Sequence, residues 1–127
     1  MASLDAISPF FVVADVPRSI AFYGERLGFQ VGWQEPKDKP FIAILRRDSI
    51  QLFVKSEEGI APAPNSSLHP HLRWDAFVYV EDPDGLAEDF AARGAPFSKP
   101  LEDTPDGLRG FEVTDADGYV LFFGRPR

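Results

Sequence analysis

Asp15-Val16-Pro17-Arg18-Ser19-Ile20-Ala21-Phe22-Tyr23, running on to Leu27-Gly28-Phe29, is the stretch on which the reading of the fold turns. Asp15 is a helix cap, and Pro17 suits a first turn, where its missing N–H costs nothing. Ile20, Tyr23, Gly24 and Leu27 fall on one face and Gly28 supplies a left-handed stop, so the spacing predicts a helix over 17–27. Before it, Ile7-Ser8-Pro9-Phe10-Phe11-Val12-Val13 is an apolar, aromatic and β-branched run with the length of a central strand. After it, strands are expected at 29–33, 41–46 and 50–54, with Arg47-Asp48-Ser49 as a tight connection. The order is β-α-β-β-β.

The second half repeats the plan. Phe10-Phe11-Val12-Val13-Ala14-Asp15 lies over Phe77-Val78-Tyr79-Val80-Glu81-Asp82, and each is followed within two residues by Pro and then by a helix. Leu86 and Phe90 give that helix, expected over 83–93, its apolar face, and Gly94 closes it as Gly28 closes the first. A strand at 110–113, the turn Asp115-Ala116-Asp117-Gly118 and a strand at 119–124 follow. Residues 56–72, rich in Pro, Ser, Ala and Gly without either period, form a linker over the surface. The chain is therefore expected to be one α+β domain over 1–127, with a first module at about 5–55 and a second at about 73–125.

Composition narrows the function classes. With 127 residues and 44% hydrophobic content the chain fits one core, while 13% aromatic residues, mainly 12 Phe, exceed what such a core needs. Without cysteine there is no disulfide framework, thiolate metal site or thiol nucleophile. The first residues have no basic stretch and too short an apolar run for a signal peptide or membrane span, so no membrane partner and a cytoplasmic location are expected. A net charge of −7 argues against nucleic acid, whose binding needs clustered Lys and Arg, but permits steering of a cationic ligand.

Two such modules in one short chain resemble the vicinal-oxygen-chelate superfamily, the glyoxalase and bleomycin-resistance group. The run from Asp15 to Phe29 is similar to the opening D-x-x-R-S-x-x-F-Y-x-x-x-L-G-F of that family. Asp115-Ala116-Asp117-Gly118-Tyr119 is similar to its closing D-P-D-G-N, with Ala for Pro and Tyr for Asn. The resemblance implies a mixed sheet curled around a concave face. It also places the metal ligands of metal-dependent members at Ser8, Gln51, Asp75 and Phe122. A divalent transition metal wants imidazole or carboxylate donors at about 2.0–2.2 Å. Only Asp75 qualifies, Gln51 offers a weak carbonyl, and Phe122 puts an apolar ring where the charge would sit. No metal and no cofactor are expected, and metal-assisted chemistry goes with them. The chain looks like the metal-free, homodimeric bleomycin-resistance members, which bind and do not transform.

Other constellations carry little. His69 and His71, as H-x-H before Asp75, lie in the linker, and a Ser8-His71-Asp75 hydrolase would lack a nucleophile elbow. No glycine-rich phosphate loop occurs.

Side chains alternate across a strand, so residues sharing parity with the four implied metal positions share their face. These are Ser8, Phe10 and Val12; Gln51 and Phe53; Asp75, Phe77 and Tyr79; Val120 and Phe122. The alternate set, Pro9, Phe11, Val13, Leu52, Ala76, Val78, Val80 and Leu121, suits packing beneath the helices. An apolar concave face calls for a cover. The expected ligand site comprises Ser8, Phe10, Trp33, Gln51, Phe53, Asp75, Phe77, Tyr79 and Phe122, with Trp74 as a further platform. Its expected ligand is a planar, cationic aromatic molecule such as an antibiotic, with Asp75 as counter-charge. Two rival readings stand beside it: a metal-dependent glyoxalase-like lyase or dioxygenase with shifted ligands, and a domain serving assembly alone.

Overall fold

A computed structural model of the chain describes residues 2–127. Its elements run β1 (Phe10–Val12), α1 (Val16–Leu27), β2 (Gln30–Glu35), β3 (Ile42–Arg47), β4 (Ile50–Lys55), β5 (Ala76–Tyr79), α2 (Pro83–Ala92), β6 (Phe97–Asp103), β7 (Leu108–Thr114) and β8 (Val120–Pro126). The β-α-β-β-β order thus occurs twice. Both helices start as their caps dictate: the Asp15 carboxylate accepts from the Arg18 N–H, and Asp82 from the Gly85 N–H. Gly28, at φ 74°, ends α1 in the left-handed region. Among the described residues no helix is long and apolar enough to cross a membrane.

Each module builds its own four-stranded sheet, in the orders β1-β4-β3-β2 and β5-β8-β7-β6. The first strand of each runs parallel to the last, and the remaining pairs are antiparallel. The registers of the three inner strands match: Phe10 lies beside Phe53 in one sheet as Phe77 lies beside Phe122 in the other. The strands therefore divide between two sheets rather than forming one. Strand β6 is absent from the sequence reading because Phe-Ser-Lys-Pro-Leu-Glu-Asp is an edge strand, with a proline inside it and two breaks in its pairing with β7. The linker holds one short 3-10 turn, Asn65–Ser67.

The hydrophobic core is a single cluster drawn from both modules. Phe11, Leu45, Leu52 and Val54 of the first sheet join Phe111, Val113, Leu121 and Phe123 of the second, with Val16, Tyr23 and Leu27 of α1 and Phe90 of α2. Phe90 meets Phe111 and Phe123 edge-on at 5.6 and 5.1 Å. The residues with the parity assigned to helix packing are thus the ones that meet.

Polar contacts fasten the modules at the same seam. Tyr23 on α1 donates its hydroxyl to the Asp115 carboxylate at 2.6 Å, and Phe11 stacks on Tyr119 at 4.3 Å. Asp115 also accepts from the N–H groups of Asp117 and Tyr119, which shapes the β7–β8 turn. Asp117 receives Arg18 at 2.6 Å and the Ala14 N–H at 3.1 Å. Burial pushes the Asp115 carboxyl above the usual carboxylate range, and burial beside that charge pushes the Tyr23 phenol well above its ordinary value. On the far side of α1, Arg47 donates to the Leu27 carbonyl at 2.7 Å and to Asp89 at 2.9 Å.

Removing the Tyr23 hydroxyl takes a donor from a buried carboxylate. Tyr23→Phe should cost about 1.5–3 kcal/mol, read as a lowered urea midpoint with an unchanged far-ultraviolet spectrum, while Tyr79→Phe, on an exposed ring, should leave the midpoint in place.

Candidate ligand-binding faces

With one face of each sheet committed to the shared core, the opposite faces look outward. On the first, Phe10 stacks on Phe53 with centroids 5.6 Å apart and planes 15° from parallel. Ile44 stands across from Phe53, and Trp33 across from Ile44. Gln51 accepts from the Arg46 Nε at 3.2 Å. Phe10 and Trp33 are 54% and 46% exposed, so this wall of rings is open. Ser8 precedes β1 and is half-buried.

The second outer face is built differently. Phe122 lies flat over Gly110 and Gly124, close enough that a Cβ on either glycine would come within 2.6 Å of the ring. Phe77 flanks it at 5.4 Å, and Trp74 stacks on it at 4.4 Å and 29°. Trp74 leaves Phe122 only 3% exposed, whereas Phe77 and Tyr79 remain open. Directly across from Phe122 on β7 stands Glu112, 2% exposed. Its carboxylate accepts from the Arg73 guanidinium at 2.6 Å and from the Trp74 indole N–H at 2.8 Å. Burial alone would raise its pKa, but the hydrogen bonds from Arg73 and Trp74 hold it below the ordinary carboxylate value. A hollow of about 320 Å³ adjoins, bounded by Trp74, Phe122, Glu112, Lys99, Glu102 and the turn at 104–106.

The expected site residues therefore fall into two groups: Phe10, Trp33, Gln51 and Phe53 on the first face, and Phe77, Tyr79 and Phe122 on the second. Asp75 lines a separate hollow with Phe10, Val12, Asn65 and Tyr119. One of its oxygens accepts from the Asn65 N–H at 2.7 Å and the other from the Val120 N–H at 2.8 Å, so it stitches the linker to β8. The carboxylate that stands among the rings is Glu112. Sequence reasoning missed it, because its only signal is that it alternates with Phe111 and Val113, and its place opposite Phe122 follows from pairing between strands.

The positions at which metal-dependent relatives carry ligands do not fit a cation here. Phe122 has no donor atom, Gln51 is engaged by Arg46, and the Asp75 oxygens are engaged by amides. His69 Nδ1 accepts from the His71 N–H, both residues being exposed. Among the described residues no group of three or more His, Cys, Asp or Glu is placed to hold a metal ion.

A family model described as the Glyoxalase/Bleomycin resistance protein/Dioxygenase superfamily matches residues 4–123. The chain belongs to this superfamily. Among solved structures, the bleomycin-binding protein of bleomycin-producing Streptomyces verticillus, complexed with copper(II)-bleomycin, aligns over 100% of both chains with a TM-score of 0.72 and 24% identity. The bleomycin resistance determinant encoded on transposon Tn5 aligns over 98% of this chain and 99% of its own, with a TM-score of 0.73 and 20% identity. TioX from Micromonospora sp. ML1 covers 96% of this chain and 100% of its own at 0.70 and 23%. At these identities the likeness establishes the shared fold. No curated protein sequence matches the chain.

Since the folded-state pKa of Glu112 is lowered, its pairing contributes stability that is fully present above an unfolded-state value of about 4.3 and is lost as pH falls through the lowered value. Thermal melts between pH 6 and 2.5 should therefore show a steeper acid limb for the wild type than for Glu112→Gln, which cannot titrate.

Proposed function

We propose that the protein sequesters, without transforming it, a planar aromatic molecule bearing positive charge, such as an antibiotic of the bleomycin kind, and does so as a homodimer in the cytoplasm. The observation that carries this reading is the presence of solvent-facing aromatic walls on both sheets of a chain whose modules meet at their other faces. An open wall encloses a ligand only when a second wall covers it. Two-fold pairing, the commonest form of self-association, would set the Phe10, Trp33 and Phe53 wall of one copy opposite the Phe77, Tyr79 and Phe122 wall of the other, giving two sites per dimer. Gln51 adds a polar group among the rings, the usual make-up of a small-molecule site. Each ring against a cationic ligand contributes about 0.5–2 kcal/mol, and a net charge of −7 favours the approach of a cation. Two similar folds have names that point the same way: one is a bleomycin-binding protein and the other a bleomycin resistance determinant. Of the four positions that the family resemblance assigns to a metal, only Asp75 carries a carboxylate or imidazole, which favours binding over metal-assisted catalysis.

Two measurements test the reading together. Sedimentation equilibrium at about 50 μM should give a dimer, and calorimetric titration with bleomycin should give a Kd tighter than about 100 μM, equivalent to about −5.5 kcal/mol. Phe10→Ala should weaken that binding about threefold to thirtyfold. A monomer that binds neither bleomycin nor any other planar aromatic cation would overturn the proposal.

A further inference from the structure

The two outer faces are equivalent by register but not in content. Phe53 and Phe122 hold the same place, each beside the ring of its module's first strand. The residue across from Phe53 is Ile44, and the residue across from Phe122 is Glu112. Ile44 fills the equivalent place in the first module with an apolar side chain. A carboxylate placed there must surrender its hydration, and a buried ion pair returns little net stability compared with apolar packing. Glu112 is thus surplus to what the strand requires.

We propose that Glu112 is the anchor for the cationic group of the ligand, and that Arg73 and Trp74 are resident stand-ins for that ligand, occupying its place until it arrives. The proposal rests on the binding reading above and specifies how the second wall recognises its guest. Arg73 and Trp74 together present what that reading calls for: a cation on Glu112 at 2.6 Å and a flat ring on Phe122 at 4.4 Å. The burial of the pair is lopsided, since the Arg73 side chain is 41% exposed and that of Glu112 only 2%. The cation therefore reaches the carboxylate from the solvent side, along the path open to another. The peptide that joins Trp74 to Asp75 is held independently of both side chains. Asn65 Nδ2 donates to the Trp74 carbonyl at 2.9 Å, and the Asp75 N–H to the Val120 carbonyl at 2.8 Å. Rotation of the two side chains away from Phe122 breaks neither contact and leaves β5 paired with β8. Leu68 and Leu72 just upstream are exposed and do not clamp the approach to Arg73. The 320 Å³ hollow beside the pair gives an incoming ligand its first foothold.

An internal occupant competes with the ligand, so the apparent affinity is the intrinsic one scaled by the fraction of open sites. Thioflavin T, a planar benzothiazolium cation, and neutral 2-phenylbenzothiazole are suitable probes. The double variant Arg73→Ser, Trp74→Ala should bind thioflavin T about tenfold or more tightly than the wild type, because the competitor is gone. Glu112→Gln keeps the size and one acceptor, and should lose most of the preference for the cation over its neutral counterpart. In 15N-labelled protein, Trp33→Phe assigns the Trp74 indole N–H. That signal should be protected from solvent exchange in the free protein and lose its protection when thioflavin T saturates the site.

Tighter binding by the double variant together with loss of protection establishes displacement. Weaker binding by Trp74→Ala, or a Trp74 signal unmoved at saturation, would make Trp74 a fixed wall and overturn the inference while leaving the binding reading intact. A Trp74 indole that already exchanges freely without any probe would overturn it too, with no reference to ligand. If neither wild type nor double variant binds either probe or bleomycin, the binding reading itself falls and takes this inference with it.

Discussion

A phenol hydroxyl and a carboxylate, both buried, meet where α1 lies against the β7–β8 turn, and the arrangement of the whole molecule depends on that meeting. Tyr23 reaches Asp115 only if the helix side of the first module faces the turn of the second. Asp115 in turn accepts the two amides that fold the turn, so one carboxylate fixes both the local loop and the long-range docking. Arg18 and the Ala14 N–H on Asp117, and Phe11 on Tyr119, extend the same contact in opposite chemical senses, one ionic and one apolar. A buried carboxylate short of donors is costly, which gives this seam a strict geometry that apolar packing alone would not impose.

From that seam the position of the functional surface follows. Each sheet has two apolar faces, and docking on the helix side consumes one of each. The aromatic residues left over point outward from a common core, as an unfinished pair of walls. The walls then diverge. The first is rings and little else, with Arg46 and Gln51 at its margin, while the second has a buried charge beneath a stacked indole. Pairing among the inner strands gives no reason for the difference, since those registers agree.

The sequence reading reached some of this and stopped short of the rest for definite reasons. Asp15 and Asp82 as caps, and Gly28 as a stop, made the helices legible, because capping is a local hydrogen bond written within a few residues. Alternation along single strands sorted Phe10, Phe53, Phe77 and Phe122 from Phe11, Leu52, Val78 and Leu121. The runs resembling the opening and closing motifs of the family were legible at opposite ends of the chain, but that Tyr23 of one touches Asp115 of the other was not. Cross-strand facts were equally hidden. Glu112 against Phe122, the glycines under that ring, and the division into two sheets depend on which strands pair, which no local pattern encodes. Asp75 was read as the counter-charge, and its partners, the amides of Asn65 and Val120, were not legible because they come from the linker and from the far end of the second module. Strand β6 escaped because an edge strand carrying proline and charges has no apolar alternation to show.

The Ile44 and Glu112 pair bears on how such a protein can change over time. Two modules whose inner strands share a register offer an internal comparison, in which the counterpart of position 112 is a branched hydrocarbon. A substitution to isoleucine there would remove the need to neutralise a buried charge and would free Arg73 and Trp74 from holding it. Selection for thermal robustness alone would therefore favour erasing the chemical distinction between the two walls, and only a use for the carboxylate opposes that drift.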